Sequence, residues 1–376
     1  KYEEEGVFLV PDFGKRFVIA GGGTGGHLFP ALAIGEGLKK RFPGSTIHFI
    51  GSKYGLESKI LPSQKNGFTL LPIRGFLRGL SVKSSMRNIL FPTRFLLSYF
   101  KSKKILKKID PSVVIGTGGY ASGLPLIAAI SNGIPTLIHE QNSFPGITTK
   151  WLSTRVDRLC ISYEDSRRHL KNTGGVVTGN PVRKEIMGRN KLKSVQKFGL
   201  SSNKPVISIL GGSQGSKILN ESINKIITDL NQFQIIWQTG NTHFEKYNHH
   251  STANVKIVPF VDDMGAFYSS SDLIISRAGA LALAEISACK KPSILIPFAK
   301  ATDNHQSMNA ESLRVAGAAK VLSENDLSSK LLNEIFSLIK NKTLLKKMST
   351  AAKSVSKIEA IDLIIDEIEF ICENKL

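Results

Sequence analysis

Two copies of one local pattern restrict this chain to a small set of folds. The apolar run Arg16-Phe-Val-Ile-Ala20 ends in Gly21-Gly-Gly-Thr-Gly-Gly26 and leads into an amphipathic stretch from Ala31 to Arg41. The run Val206-Ile-Ser-Ile-Leu210 ends in Gly211-Gly-Ser-Gln-Gly215 and leads into a helical stretch from Lys217 to Leu230. Strand, Gly-rich turn and helix open a doubly wound α/β domain, because glycine allows the sharp backbone turn where strand becomes helix. Further strands are predicted at 45–50, 112–115 and 134–138, then at 234–237, 255–258, 273–276 and 293–296. Strands alternating with helices imply parallel sheets. The two loops lie 190 residues apart in equivalent places, which predicts two domains of similar plan rather than a solenoid. Gly and Pro punctuate a join near Gly179-Asn-Pro-Val-Arg183. The expected organisation is 1–180, 181–357, and a C-terminal piece 358–376. Ile361, Ile364, Ile365, Ile368 and Ile371 make that last piece a periodic helix, expected by fold analogy to cross back to the first domain. Ligands of open α/β sheets sit beyond the carboxyl ends of the strands, so a cleft between the domains is the expected site.

Charge adds a second constraint. Lys and Arg number 50 against 30 Asp and Glu, a net of +20, with 41% hydrophobic residues to build cores. Twelve of the basic residues fall in 58–109, which holds no acidic residue. The same window is apolar, and Pro92 suits the first turn of a helix running to about Ile109. On that helix Arg94, Lys101 and Lys108 recur every seven residues with Lys104 beside them, while Phe95, Tyr99, Leu106 and Ile109 fall on another face. Cationic and aromatic groups together suit an anionic membrane surface. The expected patch is Phe76, Arg78, Arg87, Phe91, Arg94, Phe95, Lys101 and Lys104. A core helix with a solvated basic face is the alternative. Nucleic acid is disfavoured, because no nucleic-acid-binding motif accompanies the charge. No uncharged apolar run reaches the length of a membrane span. Cys160, Cys289 and Cys372 lie far apart, which excludes a disulfide scaffold and a zinc ribbon and fits a reducing compartment. The start, with Glu3-Glu4-Glu5, resembles neither a signal nor a transit peptide.

The glycine loops carry the chemistry. Gly21–Gly26 at a helix start favours a phosphate or pyrophosphate, against the alternative of a merely tight turn. It lacks the GK[ST] ending of a P-loop, and Gly51-Ser52-Lys53 stands where a dinucleotide site needs an acid. Gly116-Thr-Gly-Gly-Tyr120 and Gly211–Gly215 are two more such loops. Three exceed the needs of one nucleotide and suggest two pyrophosphate-bearing ligands. His27 follows the first loop and is a candidate general base, since imidazole titrates near neutrality. Arg183 suits a diphosphate, and Glu285, early in a Gly-Ala-rich helix, suits two ribose hydroxyls. Asp303-Asn-His-Gln306 offers only a weak metal site, without partners at a diagnostic spacing.

These motifs, in order, resemble a known family. Phe17-Val-Ile-Ala-Gly-Gly-Gly-Thr-Gly-Gly-His27, Gly116–Tyr120, His139-Glu-Gln-Asn142, Thr178-Gly-Asn-Pro-Val-Arg183, Gly211–Gly215, Phe260-Val-Asp-Asp-Met264 and Arg277-Ala-Gly-Ala280 with Glu285 look like the MurG family over about residues 15–370. The resemblance implies an α/β GT-B glycosyltransferase fold, two Rossmann-like doubly wound domains facing across a cleft. It implies inverting transfer of N-acetylglucosamine from UDP-GlcNAc to the C4 hydroxyl of the MurNAc unit of lipid I, forming lipid II for peptidoglycan. It also implies a peripheral location on the cytoplasmic face of the inner membrane and partners among cell-wall synthesis proteins. UDP-GlcNAc is then a substrate, and neither a cofactor nor a metal is expected. Donor contacts carried over are Thr24, Gly25, Gly26, Asn142, Arg183, Ser213, Val261, Ala280, Leu281, Ala282, Leu283, Ala284, Glu285 and Gln306. Gly118, Gly119 and Tyr120 would lie near the acceptor pyrophosphate, and His27 is the expected catalytic base. Ala282 replaces a hydroxyl residue of many members, and His305 stands where some have Gln. The competing readings are another GT-B transferase making glycolipids, a UDP-sugar epimerase of similar fold, and a silent sugar-nucleotide sensor on the membrane.

Overall fold

The computed structural model describes residues 5–6, 14–75, 88–171, 174–201, 203–299 and 304–374. The chain divides into two compact units, Lys1–Pro181 with Glu359–Leu376, and Val182–Ile358.

In the first unit, the described strands are β1 (Glu5–Gly6), β2 (Arg16–Ala20), β3 (Thr46–Ser52), β4 (Gly67–Leu71), β5 (Val113–Gly116), β6 (Thr136–Glu140), β7 (Arg158–Ile161) and β8 (Val176–Val177). They form one sheet in the order β1-β4-β3-β2-β5-β6-β7-β8, parallel except for β1. β2 and β5 are buried throughout their apolar positions, as strands covered by helices on both faces must be. The helix Ala360–Glu373 belongs to this unit. Its five isoleucines join Phe17, Ile34 and Leu38 in one core cluster. Burial of each is worth about 1.5–3 kcal/mol. The half-exposed pairs Arg41–Asp366 and Arg158–Glu367 add at most about 1 kcal/mol each, so apolar packing holds the helix. Gly37 makes the approach close, since a Cβ there would lie 2.5 Å from Ile361 and 2.6 Å from Ile365.

The second unit has β9 (Val206–Leu210), β10 (Gln234–Gln238), β11 (Val255–Val258), β12 (Leu273–Ser276), β13 (Ser293–Leu295) and β14 (Ala319–Val321). Their order is β11-β10-β9-β12-β13-β14, all parallel. In both units the first strand after the join or N-terminal segment is central, and successive strands grow outward from it, first to one side and then to the other. The reversal falls between β2 and β5 and between β9 and β12. A crevice opens at such a switch point, because the loops leaving its two strands diverge to opposite faces. The Gly-rich loops stand there in each unit.

Candidate active site

At the switch point of the first unit, the loop after β2 and the loop after β5 interlock around His27. Gly118 and Gly119 have φ of +96° and +74°. A Cβ on Gly118 would lie 2.6 Å from His27 Nδ1, and one on Gly119 would strike the Gly22 carbonyl. Thr117 is fully buried and donates its hydroxyl to the His27 carbonyl at 2.8 Å. His27 itself is half-buried, in the first turns of the helix Gly25–Arg41. Its Nδ1 lies 3.0 Å from the Thr117 carbonyl and 3.0 Å from Gln141 Oε1. A carbonyl can only accept, so Nδ1 carries the proton and a neutral ring keeps its lone pair on Nε2.

The first loop is less open to phosphate than its glycines suggest. Glu57 is fully buried, and the Gly23 amide donates to both of its carboxylate oxygens at 2.9 Å. The Ser52 amide donates to Oε1 at 2.8 Å. The Gly23 amide is therefore occupied, and a carboxylate lies behind the loop. What remains open is the helix start: Thr24 is its exposed N-cap with no side-chain cap bond, followed by Gly25 and Gly26. Glu57→Gln turns an NH2 group toward backbone donors. It should lower stability by about 1–3 kcal/mol in urea unfolding, where an unchanged midpoint would remove this role.

The quartet after β6 divides its labour. His139 is fully buried, and burial lowers its pKa to about 4 against the raising effect of the Gly179 carbonyl, so it is neutral. Glu140 is buried and accepts from the amides of Asn142 at 3.1 Å and Gly146 at 3.0 Å and from the Thr149 hydroxyl at 2.5 Å, shaping the loop. Gln141 is buried against His27 and His139. Asn142 alone is half-exposed. Tyr120 is 45% exposed at the start of the helix Tyr120–Ser131.

In the second unit, the Gly211–Gly215 turn is closed by Gly215 N to the Gly212 carbonyl at 2.9 Å, and Gln238 Nε2 donates to that same carbonyl at 2.7 Å. Ser213 is half-exposed on its rim. Ser216 caps the helix Lys217–Ile226 and accepts from Arg277 Nε at 3.0 Å. Arg277 is buried, pairs with Glu324 at 2.6 Å and donates to the carbonyls of Ile296 and Pro297. It is a latch between the loops after β9, β12 and β13.

The helix Ala280–Ala288 starts at the other lip of this switch point. The amides of Ala280, Leu281 and Ala282 precede its first intrahelical bond, which Leu283 makes to Gly279 at 3.0 Å. Leu283 is a correction to the expected contact stretch: its side chain is fully buried in the core and its amide is bonded, so it offers a ligand neither. Ala284 packs against the same core. Val261 also buries its side chain, which leaves only its backbone to read a base. Glu285 Oε2 accepts from the Tyr268 hydroxyl at 2.8 Å. Burial raises the Glu285 pKa to about 7, opposed by the Tyr268 hydrogen bond and by the charge of Arg183, which the fold brings near it. Gln306 Oε1 accepts from the Phe298 amide at 3.0 Å.

The basic window forms the helix Phe91–Ile109. Phe76, Arg78 and Arg87 lie outside the described residues. The expected division of faces holds for Tyr99, Leu106 and Ile109, which pack on the core, and for exposed Lys104 and Lys108, but not for the rest. Ser98, Ser102, Ile105 and Leu106 are buried, while Phe91 is partly buried and Arg94 and Lys101 half-buried. Arg94 and Arg74 both approach the Tyr54 ring, at 5.7 and 3.6 Å. The outward stripe is instead Leu96, Leu97 and Phe100 (54, 57 and 62% exposed), running into Lys103, Lys104, Lys107 and Lys108. Phe95 borders it. Two small serines let the helix seat closely, and Phe91 and Tyr99 pack against the same core. The helix Ile147–Leu152 adds exposed Ile147 and Trp151, with Arg155 4.8 Å from the Trp151 ring. No described helix is long and apolar enough to cross a membrane.

Residues 17–161 match the Glycosyltransferase family 28 N-terminal domain, and residues 206–364 match the Glycosyltransferase family 28 C-terminal domain. A protein of Ruminiclostridium cellulolyticum is 40% identical over 357 residues, covering 92% of this chain and 96% of its own. One of Bacillus cytotoxicus is 40% identical over 348 residues, covering 90% and 94%. Both are UDP-N-acetylglucosamine–N-acetylmuramyl-(pentapeptide) pyrophosphoryl-undecaprenol N-acetylglucosamine transferases. The crystal structure of Acinetobacter baumannii MurG superposes with a TM-score of 0.72 at 29% identity, over 95% of this chain and 99% of that one. A UDP-GlcNAc 2-epimerase from Neisseria meningitidis, 16% identical with a TM-score of 0.65 over 95% and 100% of the two chains, shares the fold alone. The fold is thus the GT-B glycosyltransferase fold, and with both family 28 domains matched in order and relatives at 40% identity along nine-tenths of its length, the chain belongs to the MurG family.

Proposed function

We propose that this protein transfers N-acetylglucosamine from UDP-GlcNAc to lipid I, forming lipid II, with inversion at the sugar. The C4 hydroxyl of the MurNAc unit attacks C1 of N-acetylglucosamine, the C1–O bond to the diphosphate breaks, and UDP leaves. His27 Nε2 takes the hydroxyl proton. The leaving diphosphate gains negative charge, which Arg183, the Ser213 loop and the free amides of Ala280 to Ala282 stabilise. This reading calls on no resident metal. Glu285 accepts from the ribose, and the Val261 backbone reads the uracil. Thr24, Gly25, Gly26 and Asn142 meet the donor from the first unit, Gln306 from the second. Gly118, Gly119 and Tyr120 border the acceptor diphosphate.

The observation that carries the reading is the orientation of His27. With Nδ1 on the Thr117 carbonyl, the open nitrogen of the ring is the one with the lone pair, at the switch point where ligands bind. Radiolabel transfer from UDP-GlcNAc tests it. Label should pass to a lipid I analogue, with none passing to diacylglycerol and no free epimerised sugar appearing. Label on diacylglycerol, or epimer without acceptor, would transfer the assignment to the corresponding rival.

The first unit is further proposed to dock on anionic lipid at the cytoplasmic face of the membrane, through Leu96, Leu97, Phe100 and the lysines that continue the stripe. Each lysine near the headgroups is worth about 1 kcal/mol, roughly fivefold in binding. Changing Lys103, Lys104, Lys107 and Lys108 to Gln should weaken binding to phosphatidylserine vesicles by about fivefold per charge, and salt should weaken the parent protein likewise. Parent binding to neutral vesicles at high salt as strong as its binding to phosphatidylserine vesicles at low salt would contradict this.

A further inference from the structure

Two buried side chains behind His27 form a chain of hydrogen bonds whose direction is set at its far end. The Gly179 carbonyl lies 2.9 Å from His139 Nε2 and can only accept, so His139 carries its proton there. His139 is fully buried and neutral, with burial holding its pKa near 4. Its Nδ1 is then a bare lone pair. Gln141 Nε2 lies 2.9 Å from that lone pair and 2.9 Å from the His139 carbonyl, two acceptors that only an NH2 group satisfies. The amide is thereby fixed, and its Oε1 must face the other way, toward His27 Nδ1 at 3.0 Å. Asn180 Nδ2 holds the Gln141 carbonyl at 3.0 Å. Gln141 is 2% exposed.

From this geometry we infer that Gln141, with its amide locked by His139, is a positioning residue that acts with the Thr117 carbonyl to keep the His27 proton on Nδ1 and presents Nε2 unprotonated to the acceptor hydroxyl. A free neutral histidine side chain favours the proton on the other nitrogen, so the protein must impose this tautomer. Neither residue touches substrate; both act through His27. The catalytic consequence rests on the base assignment made above, whereas the tautomer does not.

The arrangement makes a prediction that a merely structural role does not. A carboxylate has two acceptor oxygens, so glutamate at 141 accepts from His27 with either one and, although its other oxygen then meets the His139 acceptors, should free the His27 proton from its dependence on His139. Four full-length variants test this: Q141L, Q141E, H139L and the double variant H139L/Q141E, each checked for folding by circular dichroism. Ring 15N shifts of labelled His27 report where its proton sits, and kcat and donor KM are read in parallel. Q141L leaves Nδ1 only the Thr117 carbonyl, and H139L leaves the Gln141 amide only the backbone carbonyl of residue 139 as its lock, so both should raise the Nε2–H share of His27 and lower kcat about 10–100-fold, with donor KM within about twofold. Q141E should keep the Nδ1–H tautomer and shift the acid limb of kcat upward by about one pH unit or more, because a carboxylate beside the ring favours its charged form. Adding H139L to Q141E should cost far less than H139L alone. Unchanged His27 shifts in folded Q141L and H139L, or equal losses from H139L in both backgrounds, would overturn the relay. A relocated proton with wild-type kcat would uphold the relay and remove His27 from the base role instead.

Discussion

Replacing His27 with alanine should lower kcat by about 10²–10⁴-fold with both substrates saturating, the usual contribution of a single general base. The size follows from what the ring does and what else is near. His27 sits between two interlocked loops, with Nδ1 committed to Thr117 and Gln141, so its only free function is at Nε2. Among the described residues, the nearby carboxylates cannot substitute for it: Glu57 faces the amides of Gly23 and Ser52, and Glu140 those of Asn142 and Gly146. The loss should therefore fall on kcat rather than on donor KM. His27→Ala with kcat near the wild-type value would withdraw the base role.

Replacing Glu285 with alanine should raise donor KM roughly 10–100-fold, as expected from loss of hydrogen bonds to a charged group worth about 1.5–3 kcal/mol. In the proposed complex ribose hydroxyls donate to this carboxylate, so the ionised form is the one expected to bind. Burial raises its pKa to about 7 while Tyr268 and Arg183 pull the other way. Donor KM should therefore fall as pH rises from about 6 to 8 and then level off. Tyr268→Phe removes a hydrogen bond that favours the ionised form, and should move that transition to higher pH. The same shift has an opposite effect on stability. A carboxyl whose folded pKa lies above its unfolded value contributes stability at low pH that is lost as pH rises through about 7. Glu285→Gln should thus melt higher than the parent at pH 8 while binding donor less well. A donor KM unchanged in Glu285→Ala, or flat across pH 6–8 in the parent, would remove the ribose assignment.

The parts of this molecule visible in its sequence are those that depend on local pattern. Arg16–Ala20 and Val206–Leu210 read as strands because apolar runs end at glycine turns, and both are central in their sheets. β14, three residues long, and β8, two residues long, are too short to show a period. Gly67–Leu71 lies in a window dominated by basic charge, where its short apolar run does not stand apart. Pro92 places the helix Phe91–Ile109, and Tyr99, Leu106 and Ile109 mark part of its inward side, but the full inward face is not legible, because Ser98 and Ser102 are buried at helical spacing and no hydrophobicity pattern marks a serine as inward. Of the site, His27 and Glu285 stood out by their positions after Gly-rich turns. Glu57 did not, since its partners are backbone amides whose identity leaves no trace in side-chain chemistry. The distinct tasks of His139, Glu140 and Gln141 were likewise compressed into one motif, and only their hydrogen bonds separate the relay from the loop staple.

In the proposed complex the nucleotide lies at the switch point of the second unit, and the base belongs to that of the first. A crystal structure of the UDP complex tests this most directly. It should show the ribose within hydrogen-bond distance of Glu285 and the diphosphate against Ser213 and the amides of Ala280 to Ala282. UDP seated instead with its phosphates on the Gly21–Gly26 loop and no contact to Glu285 would contradict the assignment.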